Sequence, residues 1–146
     1  MDNDQQIIEQ AKQIMERRAK YGEELTSPTL TADYLTINLS EEKNEGFWMI
    51  SLTNKHRVIS IKKLFTGTVN GASVYPRVIV QSALDDNAAA VIFAHNHPSG
   101  DTEPSEADRR ITKRLQDVLE IIDIRVLDHF IIAGGKANSM AEMGLV

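Results

Sequence analysis

Apolar residues recur at helical spacing near the start of the chain. Residues 4–20 predict an amphipathic helix, because its apolar positions share one helical face: Ile7, Ile8, Ala11, Ile14, Met15 and Ala19. Gly22 is expected to end this helix. Residues 30–39 predict a second, short helix, which the boundary at Ser27 and Pro28 separates from the first.

The next apolar segments have the length and composition of strands. Residues 46–53 (GFWMISLT) predict a buried strand, and residues 57–69 (RVISIKKLFTGTV) predict its hairpin partner. We expect one turn at residues 54–55 between the two strands and another at residues 70–71 after them.

Helix and strand patterns then alternate to the end of the chain. Residues 76–84 predict a helix, and residues 88–95 (AAAVIFAH) predict a central strand because the run is almost continuously apolar. A stripe at helical spacing predicts the next helix: Ile111, Leu115, Val118, Leu119 and Ile122. Residues 124–135 (IRVLDHFIIAGG) predict a final strand. Because no repeat or linker interrupts it, this pattern favours one α/β domain.

Length and composition fit one domain. The chain has 146 residues, of which 42% are hydrophobic and 25% charged. No apolar run approaches the roughly 18 residues of a transmembrane helix, and the polar N-terminus lacks the pattern of a secretory signal. The absence of cysteine excludes disulfides, thiolate metal ligands and a cysteine nucleophile. We therefore expect a cytoplasmic protein without a membrane partner.

The charge balance is acidic. The chain has 16 Lys and Arg against 21 Asp and Glu, a formal net charge of −5, whereas proteins that bind nucleic acid usually carry a basic face. The basic run at residues 109–114 (RRITKR) falls in a predicted helix, where a solvated helix face explains it. Composition therefore counts against nucleic acid as the main partner without excluding it.

Residues 94–108 (AHNHPSGDTEPSEAD) carry the candidate chemistry. Ser105 and Asp108 match the S-x-x-D signal of a helix start, in which each side chain caps the other residue's backbone amide. His95 and His97 lie two residues apart, so in an extended strand both imidazoles project to the same side. Each residue taken alone has a structural explanation, but the combination points to a metal site.

Asp108 is the residue that most favours a metal site. At about 100° per residue it falls on the buried stripe of its helix, near Ile111 and Leu115. A buried carboxylate needs a partner, and a divalent metal held by His95 and His97 would provide one. Two imidazoles and one carboxylate leave the fourth tetrahedral position to water, as in hydrolytic zinc centres.

One spacing, H-x-H-P-x6-S-x2-D, resembles the JAMM (MPN+/JAB) metalloprotease motif at every specified position: His95, His97, Pro98, Ser105 and Asp108. Residues 25–146 further resemble the RadC family, a bacterial branch of the JAMM superfamily, and residues 1–24 would form a separate N-terminal amphipathic helix. The resemblance implies a single MPN domain, a curved mixed β-sheet flanked by helices and similar in architecture to cytidine deaminases. RadC proteins commonly carry a helix-hairpin-helix region ahead of this domain, and we expect a form without it.

The resemblance also implies roles for individual residues. His95, His97 and Asp108 would hold one Zn²⁺ ion with water as the fourth ligand. Ser105 would donate a hydrogen bond to the oxyanion that forms on the substrate. The general base of the family would fall on Glu45, immediately before the first strand.

The choice of base has alternatives within the chain. Hydrolysis needs a proton shuttle near the metal, and Asp101 and Glu103 in the loop are expected to be solvated. Glu41 and Glu42 compete with Glu45 in the same acidic segment, but only Glu45 directly precedes the strand.

Three further features lie outside this motif. Ser139 is followed by Met140, where RadC-like chains usually carry an aromatic residue, so the recognition role of the C-terminal segment stays open. His129 lies outside the ligand spacing and is expected to be a structural histidine. His56 lies beside a turn and is expected to be exposed.

The leading interpretation is a zinc-dependent hydrolase of peptide or isopeptide bonds, with a peptide or protein as its substrate. The alternatives are a DNA-repair-associated module that interacts with nucleic acid and a metal-binding scaffold without turnover. Zinc nucleobase deamination is rejected, because it needs cysteine ligands and an H-x-E or C-x-E element. The ligand types also accept iron, cobalt or manganese.

Overall fold

The computed structural model describes residues 2–17, 25, 27–67 and 74–146. These residues form four helices and five strands. Their order is α1 (Asn3–Arg17), α2 (Pro28–Leu39), β1 (Gly46–Leu52), β2 (Val58–Thr66), α3 (Pro76–Asp85), β3 (Ala90–Asn96), α4 (Glu106–Ile121), β4 (Arg125–Ala133) and β5 (Lys136–Ser139).

The four predicted helices and four predicted strands are confirmed within the described residues. The predicted helix end at Gly22 and the predicted turn at residues 70–71 lie outside them. The prediction for the last strand was wrong at its end, because it took Gly134 and Gly135 as the close of a single strand. Both glycines have positive φ angles, 56° and 76°, which suit a two-residue hairpin turn, and the turn leads into β5.

The strands form one mixed sheet. Their order is β2-β1-β3-β4-β5, which confirms β3 as the central strand. Strands β3 and β4 are parallel and are joined by α4, while the other three neighbouring pairs are antiparallel. The fold is therefore the mixed α/β type that the sequence pattern predicted. Within the described residues, no helix is long and apolar enough to cross a membrane.

Helices cover both faces of this sheet. Trp48 and Ile50 of β1 belong to a core cluster that includes residues of α1 and α2. Phe47 and Met49 belong to a second cluster with residues of α3 and α4. Because successive side chains of a strand point to opposite faces, the fully buried β1 supplies both cores.

The same alternation along β3 separates the residues of the H-x-H motif. Ala94 belongs to the core on the α2 side and Phe93 to the core on the α4 side. His95 and His97 therefore share the α4 side, whereas Asn96 faces the α2 side. This parity agrees with the prediction that both imidazoles project together.

The antiparallel pairing of β1 and β3 brings separate segments to one end of the sheet. Phe47 pairs with His95, so Glu45, just before β1, lies beside the residues that end β3. The first turn of α4 carries Asp108 to the same place. Three segments therefore meet where β3 ends, and the segment with Glu45 lies 50 residues before His95 in sequence.

Candidate metal centre

His95 is the central residue of the site. Its side chain is 1% exposed, and its two ring nitrogens face two different carboxylates. Nε2 lies 3.1 Å from Oε1 of Glu45, and Nδ1 lies 3.0 Å from Oδ1 of Asp108. The His97 imidazole lies nearly perpendicular to that of His95, with 4.5 Å between ring centroids.

Asp108 contacts both histidines and also begins α4. Its Oδ2 lies 3.5 Å from Nε2 of His97 and accepts a 2.7 Å hydrogen bond from the Ser105 backbone N–H. In return, the Ser105 hydroxyl oxygen accepts a 3.0 Å hydrogen bond from the Asp108 N–H. This reciprocal capping box confirms the structural reading of the pair. The same geometry aims the Asp108 carboxylate at the two imidazoles, so capping and metal binding are compatible.

Electrostatics keep Asp108 ionised. Burial alone raises the pKa of its carboxyl, but the neighbouring His95 and His97 imidazoles and the Ser105 N–H together lower that pKa well below its ordinary value. The pKa of His97 is raised, first through its contact with Asp108 and against the effect of burial. The interior therefore holds a full negative charge beside two imidazoles at neutral pH.

The residues pass a simple test for a bound cation. A neutral imidazole carries one N–H, so His95 can donate to only one of the carboxylates of Glu45 and Asp108. Nδ1 of His95 and Oδ1 of Asp108 are both buried and have no hydrogen-bond partner among the described residues. Buried polar atoms without partners are costly, and a cation between them would satisfy both. The chemistry of the donor set thus fits a divalent metal.

Among the described residues, the group of mutually close ligand atoms contains Glu45 and not Asp108. One ligand atom from each of Glu45, His95 and His97 lies within 4.8 Å of the others, and these three residues form a candidate metal-binding group. Tetrahedral zinc ligands at about 2.0–2.1 Å from the ion lie about 3.3 Å apart. The site therefore offers two imidazoles and two carboxylates, one more ligand than the sequence assigned.

Of the three acidic candidates for the base, only Glu45 reaches this site. Its side chain is 21% exposed, while Glu41 and Glu42 are exposed. Glu41 instead accepts a hydrogen bond from Gln5. The position before β1 therefore brings Glu45 to the imidazoles, and its role as the base stays a prediction.

The loop before α4 orients His97 in a way that the sequence did not reveal. Nδ1 of His97 donates a 2.6 Å hydrogen bond to the backbone carbonyl of Asp101, so Nε2 is directed to Asp108. Such a bond fixes the tautomer of a metal-ligating histidine. Asp101 and Glu103 are both exposed, as predicted. Ser105 is also exposed, although its hydroxyl oxygen accepts from Asp108.

A buried chain of hydrogen bonds extends from Asp108 to His129. The Thr112 hydroxyl donates to the Asp108 carbonyl at 2.6 Å, so it accepts from Nδ1 of His129 at 2.6 Å. Burial lowers the pKa of His129 to about 3, with a further contribution from His95. His129 is therefore a neutral structural histidine outside the ligand group, as expected, although its Nε2 has no partner among the described residues.

Two expectations about neighbouring residues are modified. His56 is half-buried rather than exposed, because its backbone accepts from the Leu25 N–H and it borders a small cavity beside α2. Met140, where an aromatic residue was expected, is fully buried, and its N–H donates to the His129 carbonyl. Ser139 donates to the buried Asp128 carboxylate, so this segment is tied to β4.

A mixed α/β domain with histidines and carboxylates at the end of its central strand defines a candidate metal-binding domain of the JAB class. The chain belongs to the RadC-like JAB domain family, since residues 25–145 match that family.

Curated relatives carry the name UPF0758 protein. A relative from Marinobacter nauticus is 50% identical over 142 residues, which cover 97% of this chain and 63% of the relative. One from Vibrio parahaemolyticus shows the same identity and coverage. One from Vibrio cholerae is 51% identical over 139 residues, 95% of this chain and 88% of the relative. The chain thus spans less than two thirds of the length of the first two relatives.

Proposed function

We propose that this domain is a zinc-dependent hydrolase of peptide or isopeptide bonds, of the JAMM type. One observation supports this function above the others: the fully buried, ionised carboxylate of Asp108 faces His95 through Oδ1, which has no hydrogen-bond partner among the described residues, and faces His97 through Oδ2. A merely structural capping residue has no need of this arrangement, since the capping bonds use only its Oδ2 and backbone N–H.

His95, His97 and Asp108 are the residues that would hold the zinc ion. The bound ion would polarise the carbonyl of the scissile bond and acidify a water molecule. The four-coordinate geometry common to catalytic zinc sites uses three protein ligands, which leaves Glu45 as the one carboxylate of the cluster without a ligand role.

Glu45 is the proposed general base. Its half-buried carboxylate lies within the cluster, 3.1 Å from His95, and its exposed portion gives access to a substrate. It would accept a proton from the attacking water and then deliver that proton to the leaving amine.

Ser105 is the proposed donor to the substrate oxyanion. Its hydroxyl oxygen accepts from the Asp108 N–H, so its own proton is free to be donated. The capping box fixes this hydroxyl beside the carboxylate, and preorganised donors of this kind stabilise charge that develops in the transition state.

A cavity borders His97 on the α2 side of the sheet, where Asn96 and Ile132 also line it. Its volume of about 350 Å³ is within the usual size of ligand pockets. The cavity lies between the segment before β1 and the turn at Gly134. A larger cavity of about 590 Å³ lies at the other end of the sheet, beside Ala89 and Arg125. Neither cavity is lined by Glu45, His95, Ser105 or Asp108, so neither is assigned to the substrate.

The experiment is cleavage of a peptide library by the zinc-loaded protein, read by mass spectrometry. Wild type should cleave, Glu45→Gln should retain zinc while cleaving about 100-fold or more slowly, and His95→Ala should lose both zinc and cleavage. Glu41→Gln, which removes a neighbouring exposed carboxylate, should cleave at close to the wild-type rate. Zinc binding without cleavage by wild type would instead identify a metal-binding scaffold.

A further inference from the structure

Asn96 separates the two histidines in sequence, but its side chain faces away from them. It is 3% exposed and lies on the α2 side of the sheet. Its Oδ1 accepts a 2.7 Å hydrogen bond from the Gly46 N–H, and its Nδ2 donates to the Asn44 carbonyl at 2.9 Å. A longer contact of 3.5 Å joins Nδ2 to the Glu42 carbonyl. One buried amide therefore holds the segment that precedes β1.

The residue between these two contacts is Glu45. The Asn44 carbonyl belongs to the peptide group before Glu45, and the Gly46 N–H belongs to the peptide group after it. A single side chain thus fixes both peptide groups around the Cα atom of Glu45. On the β2 side, the Glu45 carbonyl accepts a 2.7 Å hydrogen bond from the Gly67 N–H.

The environment of Gly46 shows how closely the segment is packed. A Cβ atom at Gly46 would lie 2.7 Å from Cε of Lys63 and 2.9 Å from the Trp48 ring. A side chain at Gly46 would therefore have to displace Lys63 or Trp48. Asn96 supplies the two hydrogen bonds from the histidine strand itself.

We propose that Asn96 is a positioning residue that couples the place of Glu45 to the strand carrying His95 and His97. This positioning role rests on the proposed hydrolase function, because it takes Glu45 to be the general base. The histidines lie on one face of the strand and the Asn96 side chain on the other. A shift of His95 and His97 would therefore also move Asn96 and, through its hydrogen bonds, Glu45. A base must stay within hydrogen-bond reach of its proton, and a displacement of about 1 Å can cost about 100-fold in rate.

The test compares Asn96→Ala and Asn96→Asp with wild type as zinc-loaded full chains. Asn96→Asp keeps an acceptor for Gly46 but sets an oxygen against the Asn44 carbonyl, so it serves if the alanine variant does not fold. Asn38→Ala is the matched control, because among the described residues the Asn38 amide donates only to the Tyr34 carbonyl of its own helix.

Three readouts decide the proposal. Backbone amide exchange by NMR should accelerate about tenfold or more at Gly46 and Gly67 in Asn96→Ala, with the core of β3 unchanged. Zinc affinity should stay within about threefold of wild type. On a peptide that wild type cleaves, kcat should fall about 10- to 100-fold with little change in KM. Asn38→Ala should match wild type in all three.

Two results would overturn the proposal. Unchanged exchange at Gly46 and Gly67 would mean that Glu45 keeps its place without Asn96. A loss of zinc affinity as large as that of His95→Ala would mean that Asn96 supports the ligands rather than the base. If wild type cleaves no peptide, the hydrolase function fails, while amide exchange and zinc affinity still decide the positioning role.

Discussion

Oδ1 of Asp108 lies 3.0 Å from Nδ1 of His95, yet no hydrogen bond joins these two buried atoms. The other oxygen of the same carboxylate accepts from the Ser105 N–H. Asp108 therefore has two functions. Its Oδ2 caps the start of α4 and also lies 3.5 Å from Nε2 of His97, whereas its Oδ1 faces only the imidazole of His95.

Replacing Asp108 by asparagine should separate these functions. An asparagine oxygen still accepts from the Ser105 N–H, so the helix start survives, but the negative charge that faces the imidazoles is lost. We expect zinc affinity to fall about 10- to 100-fold or more, while the metal-free protein keeps the helix start and loses only the stability that the anion gains from His95 and His97. Isothermal titration calorimetry and urea denaturation measure the two effects.

Asp117→Asn is the matched control for this substitution. Asp117 lies on the exposed face of the same helix, where it pairs with Lys113, and such exposed pairs contribute little. The control should bind zinc as wild type does. Wild-type zinc affinity in Asp108→Asn would remove Asp108 from the ligand set.

The sequence predicted the position of Asp108 because helical geometry is local. The angle between Asp108 and Leu115 follows from their spacing, and the start of the helix follows from Ser105. The shared face of His95 and His97 follows in the same way from the two-residue period of a strand. Local periodicity was therefore sufficient for the proposed ligands.

Contacts between distant segments were not predictable in this way. The Asn96 amide meets Gly46 across 50 residues, and Thr112 meets His129 across 17, and no periodicity encodes either pair. Strand β5 has only four residues, most of them polar, so it lacks the apolar alternation that would predict a strand. The Gly134–Gly135 dipeptide was the one local signal of that hairpin.

Thr112 should be required for the stability of the site. In Thr112→Val, Nδ1 of His129 loses its buried acceptor, which we expect to destabilise the fold by about 1–3 kcal/mol. Thr112→Ser keeps the hydroxyl and should recover most of this loss, apart from about 0.8 kcal/mol for the missing methyl group. Chemical denaturation of the metal-free proteins measures both. Equal stability of the valine and serine variants would contradict the hydrogen-bond chain.

His129 should make stability depend on pH. Its pKa is about 3 in the fold and about 6.5 in an unfolded chain, so between these values the unfolded state binds more protons. Its contribution to stability is therefore complete above about pH 6.5 and is lost as the pH falls toward 3, at up to about 1.4 kcal/mol per pH unit. The other ionisable groups are common to wild type and His129→Asn, so their contributions to the free energy of unfolding cancel in the difference between the two proteins.

The measurement is the free energy of unfolding of metal-free wild type and His129→Asn from pH 7 to pH 4. We expect the advantage of wild type over the variant to shrink steadily as the solution is acidified. A difference that stays constant over this range would show that His129 does not remain neutral in the fold.

The most direct test of the central claim is the position of zinc in crystals of the zinc-loaded protein, located by anomalous diffraction at the zinc edge. The account predicts one ion at about 2.0–2.2 Å from His95, His97 and Asp108, with the Glu45 carboxylate nearby but not bonded to it. An ion bound by Glu45, His95 and His97 without Asp108 would contradict the account, because the proposed base would then be a ligand.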